Sequence, residues 1–177
     1  QGLAGLRRTM GRVNSEMNRS LSSFDRGERS MARYDSTVRG LSSKMEVQER
    51  IVDRNKTSYE ALSKQYEVSI KSLDKAAKGI TDAEKSLDDL GHSTEATADD
   101  FVKAELALRE AERAFADVNE EVSQNRKEMD NAEIALKRAE TDYNKLARSV
   151  DYYTQEMKEM HIEQTIANSA WTKSGDA

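Results

Sequence analysis

From Leu3 to the end of the chain, every seventh residue is apolar or aromatic with two exceptions, Thr94 and Gln164. The series runs Leu3, Met10, Met17, Phe24, Met31, Val38, Met45, Val52, Tyr59, Tyr66, Leu73, Ile80, Leu87, then Phe101, Leu108, Phe115, Val122, Met129, Leu136, Tyr143, Val150, Met157 and Trp171. A second series lies three residues further on. It is apolar at Leu6, Val13, Tyr34, Leu41, Leu62, Leu90, Val118, Leu146, Tyr153 and Met160, and small at Ala76, Ala83, Ala104, Ala111, Ala132, Ala139 and Ala167. This 3-4 spacing is the heptad signature, with the first series at a and the second at d. A seven-residue period on a 3.6-residue helix implies a left-handed supercoil. One helix cannot bury such a stripe by itself, so helices must pair along it.

Composition supports the same reading. Charged residues are 34%, hydrophobic residues 36%, and the 177 residues include no proline. Mean hydropathy is -0.87. These values suit a helical rod or a disordered polar chain, and the preserved period favours the rod. With no cysteine, disulfides and thiolate chemistry are excluded. No apolar run is long enough to span a membrane. The chain opens on Gln1 rather than Met and stops mid-pattern after Trp171, which is expected of a piece of a longer protein.

The expected fold is all-α, a long parallel coiled coil. A helical hairpin turning at Gly91 is the alternative. Gly91-His92-Ser93-Thr94 looks like a helix stop followed by N-cap residues. Yet the a positions on either side of it keep the same phase, which a hairpin does not require. A continuous helix would extend about 265 Å at 1.5 Å per residue. Two segments are expected. Residues 1–91 carry 17 basic and 14 acidic side chains, and residues 92–177 carry 11 and 19 in the same heptad phase. Glycines are concentrated in the first segment, which should be the softer one. Polar d positions at Gln48, Asn55 and Asn125 are candidate core layers that pin register at a cost in stability.

Catalytic and metal sites are not expected. His92 and His161 are far apart and in no metal-binding spacing, and the carboxylates fall on outward faces with no cleft around them. No glycine loop cradles a phosphate. The chain therefore reads as neither an enzyme nor the holder of a cofactor. Residues 1–40 carry eight arginines against four acids, which suits phosphate backbones or an acidic protein. No aromatic interleaving for base stacking lies outside the a and d series, so nucleic acid is the less favoured partner. Near the C-terminus, Ile162 and Ile166 leave the heptad stripe and form a second one, which suggests a contact outside the coiled coil, the start of a further packed region, or equally a fraying helix end.

The run Gly2-Leu3-Ala4-Gly5-Leu6-Arg7-Arg8-Thr9-Met10 resembles the early region of tail tape measure proteins of long-tailed bacteriophages, as do Phe24-Asp25, Gly40-Leu41-Ser42-Ser43-Lys44 and the Tyr59–Tyr66 stretch. The wording extends over residues 2–70; beyond them only the proline-free heptad style is shared. The resemblance implies a structural virion protein, a homotrimer lying in the tail tube lumen and setting tail length. Assembly would occur in the host cytoplasm, and the implied partners are tail tube protein, tail assembly chaperones and baseplate proteins. A dimer is the other stoichiometry. The competing expectation is a coiled-coil scaffold or spacer module of a cellular protein.

Overall fold

The computed structural model describes residues 2–175, and their side chains except those of 170 and 172–175. Three helices account for the described chain: α1 (Leu3–Leu21), α2 (Met31–Gly91) and α3 (Ala98–Gly175). The described residues form no strand.

The continuous helix expected through the heptads is interrupted twice, and each interruption has a local cause. Helix α1 stops where Ser22 and Ser23 turn their hydroxyls onto the carbonyls of Arg19 (2.7 Å) and Ser20 (3.3 Å). Residues 22–30 then form an ordered connection. Gly27 sits at φ 91°, a left-handed conformation that side chains with a Cβ disfavour. The backbone N–H of Asp25 donates to Glu28, and Ser30 caps α2 by accepting from the N–H of Arg33 at 3.3 Å. Phe24, expected in a helical core layer, lies in this connection and is half-buried.

The second interruption covers residues 92–97. Thr97 opens α3 with a reciprocal capping box. Its Oγ1 accepts from the N–H of Asp100 at 3.3 Å, and the Asp100 carboxylate accepts from the N–H of Thr97 at 2.9 Å. The chain folds back here, so a hairpin turn replaces the parallel continuation expected through Gly91. The six-residue connection is ordinary for two packed helices. Retained phase did not require a continuous helix. Each stripe needs an apolar partner, and folding back supplies one from the same chain.

Two compact units result, and their boundary is not at Gly91. The first comprises residues 1–56 and 135–177, the second residues 57–134. In the first unit, α1, the start of α2 and the latter part of α3 pack together. Its buried side chains are Leu6, Tyr34, Thr37, Leu41, Val47, Gln48, Asn55 and Ala139. Helix α1 lies close on α2: a Cβ added to Gly40 would meet the Met17 side chain at 2.5 Å. In the second unit, two arms run antiparallel from the 92–97 turn, and only Ser69 and Asn125 are buried among the described residues. The apolar a and d side chains of these arms are half-buried, while their other faces are exposed.

Candidate interaction surfaces

The residues expected to form the core seam are placed plainly. Leu3, Met10, Met17, Met31, Val38, Met45, Val52, Tyr59, Tyr66, Leu73, Ile80 and Leu87 are half-buried, as are Phe101, Leu108, Phe115, Val122, Met129, Leu136, Tyr143, Val150 and Met157. Trp171, expected to continue the seam, is 83% exposed instead. Its heptad phase is correct, but residues 161–169 are all exposed, so the seam has already ended before it. Helical phase alone cannot report where a partner helix stops.

The three polar d positions expected to pin register, Gln48, Asn55 and Asn125, are buried, and each resolves its polar groups differently. Gln48 Nε2 donates to the carbonyl of Ala139 at 2.9 Å, crossing from α2 to α3. Asn55 Nδ2 donates to the carbonyl of Ile51 at 3.0 Å, within its own helix. Asn125 accepts from Gln65 Nε2 at 2.9 Å, but its own Nδ2 has no partner. An orphaned buried donor costs about 1–3 kcal/mol. The bonds of Gln48 and Asn125 specify which turn faces which, a property that uniform Ala and Leu layers lack.

Where the first unit ends near the 22–30 connection, a polar and aromatic cluster fixes α3. Arg29 pairs with Glu156 at 3.1 Å. The Tyr34 side chain and the Glu156 carboxylate beside it hold the guanidinium above its usual range. The rings of Tyr34 and Tyr153 meet edge-on at 5.3 Å, and Tyr153 meets Tyr152 at 5.2 Å. The Glu156 charge, followed by burial, pushes the Tyr152 hydroxyl up. The sequence offered a signal here: Tyr34 and Tyr153 are the two aromatic residues of the d series.

Charge is distributed unevenly over α1. Arg8, Arg12 and Arg19 line a shallow hollow on its outer face together with Gly5, Thr9, Gly11, Ser15 and Glu16. Among the described residues, no group of three or more His, Cys, Asp or Glu side chains is arranged to hold a metal ion. No described helix is long and apolar enough to cross a membrane. Comparison with known proteins finds no matching family, curated protein or solved structure.

Proposed function

We propose that the chain is a structural protein of a phage tail, part of a tape measure that occupies the tail tube lumen and sets tail length. One observation carries this reading: an apolar seam of constant seven-residue period, joined to an opening stretch over residues 2–70 that resembles tail tape measure proteins. A heptad repeat converts residue number linearly into distance, which is the physical requirement for a ruler. In this reading the helices form coiled coils, and three copies associate. Tail tube protein, assembly chaperones and baseplate proteins are the partners, and the protein passes from host cytoplasm to virion. It works by shape and self-association rather than by catalysis.

A second reading is favoured by the fold-back at residues 92–97. Helices α2 and α3 cover each other's seam within one chain, which suits a scaffold or spacer module of a cellular protein that needs no second copy. Removing two heptads from each arm, residues 63–76 and 115–128, separates the two. As part of a ruler, the shortened gene should give particles with tails about 20 Å shorter if the arms remain folded back, or about 40 Å shorter if they extend. Electron micrographs showing unchanged tail length would overturn the ruler and leave the spacer.

A further inference from the structure

We infer that the outer face of α1 is a docking groove for the C-terminal part of α3 from a second copy of this chain. The groove sets small residues directly beside a stripe of arginines. Arg8, Arg12 and Arg19 form one stripe along the helix, with Gly11 and Ser15 on one side of it and Gly5, Thr9 and Glu16 on the other. Among the described residues, no ion pair holds Arg8, Arg12 or Arg19. Arg12 makes one long bond, 3.4 Å, to the Thr9 hydroxyl. Gly11 is the more telling residue. A glycine within a helix lowers stability relative to alanine. Nothing lies within 4 Å of where its Cβ would stand, so packing inside this chain gives no reason for it. Close approach of another helix does.

The segment that fits has the opposite character. From residue 161 to 169 every side chain of α3 is exposed. Ile162 and Ile166 are 56% and 61% exposed and stand one turn apart. Glu159 and Glu163 both lie along one side of them, so the face pairs an apolar strip with an acidic one. Gln155 donates to Glu159 at 3.1 Å, which leaves that carboxylate its charge. Within its own chain the segment lies beside Arg29–Met31, around a hollow lined by Met160, Glu163, Gln164 and Ala167. Helix α1 instead borders Gln48, Ile51 and Asn55 with residues 135–142 of α3. Tail and groove therefore meet only between copies. Ile162 and Ile166 would lie over Gly11 and Ser15, with the glutamates against the arginines.

This inference does not depend on the tail reading, because a spacer module could self-associate by the same contact. Sedimentation velocity of the full chain at low and high salt tests it. Association should weaken as salt rises. Arg8→Glu with Arg12→Glu, or Glu159→Lys with Glu163→Lys, should each weaken self-association about tenfold or more, and an equimolar mixture of the two variants should restore it. Gly11→Leu puts a bulky side chain where the isoleucines would sit. It should raise the melting temperature and abolish association, which separates docking from folding. Association unchanged in Gly11→Leu and in both charge-reversed variants would overturn the inference. So would a chain that stays monomeric at every salt concentration while its arginine face binds nucleic acid.

Discussion

Among single residues, Asn125 makes the sharpest statement. It is 3% exposed, accepts from Gln65, and leaves its Nδ2 unpaired. Replacement by leucine removes the orphan, while Gln65, itself exposed, can turn to water. Asn125→Leu should raise stability to urea by about 1–2 kcal/mol and loosen the register of the arms, visible as broadened amide resonances around residues 62–69 and 122–129. Lower stability would mean that the amide has a partner after all. Gly27 makes the opposite case, because open space surrounds it and only its φ of 91° resists a side chain. Gly27→Ala should therefore cost about 1 kcal/mol by backbone strain alone, read from the urea midpoint. The polar layers at Gln48, Asn55 and Asn125 were legible, since a polar residue in an apolar series is conspicuous. The exposure of Trp171 was not legible, because phase says nothing of where a neighbour stops.

At the scale of the element, the deciding structure is the start of α3. Ser93 and Thr94, the cap residues expected after Gly91, do not open α3; the cap is Thr97, whose partner is Asp100 three residues on. That Thr-Ala-Asp-Asp sequence has the spacing of a capping box, but Thr97 also falls at a d position, seven residues after Leu90, so heptad phase alone hides the helix start. The Thr97 hydroxyl, and then its backbone N–H, hold the Asp100 carboxyl below its ordinary 3.8. A lowered folded-state value means that the contribution is present above pH 3.8 and lost as pH falls through the depressed value. Thr97→Ala should lower the melting temperature by about 2–4 °C at pH 7 and by less at a pH below the depressed Asp100 value, where the carboxyl is protonated in both proteins. An equal loss at both pH values would show that the carboxylate has no part in the cap. The fold-back also makes the arms interdependent. Deleting residues 73–79 from α2 alone leaves a heptad of α3 without its apolar partner and should cost about 2–3 kcal/mol. Deleting 73–79 and 112–118 together should restore cooperative melting, as circular dichroism would report.

For the whole molecule, the question is where its stability resides. Glycine count pointed to residues 1–91 as the softer part, but burial divides the chain differently. All buried apolar side chains among the described residues belong to the unit built from residues 1–56 and 135–177, including Leu6, Tyr34, Leu41 and Val47. The unit of residues 57–134 buries only Ser69 and Asn125, and its apolar seam is half-covered. Hydrophobic contribution follows area removed from water, so three packed helices should outlast two arms despite Gly40 in α2. That glycine is also no weakness, because Met17 occupies the space its side chain would need. Native-state hydrogen exchange should therefore show the slowest amides between residues 34 and 55 and between 135 and 153. The fastest helical amides of α2 and of the start of α3 should flank the 92–97 turn. If docking between copies occurs through α1 and the end of α3, raising the protein concentration should slow exchange over residues 159–169 while leaving the two arms unchanged. Equal protection along both units would mean that the heptad seam, rather than the three-helix core, governs stability, and the glycine-based expectation would then deserve the greater weight.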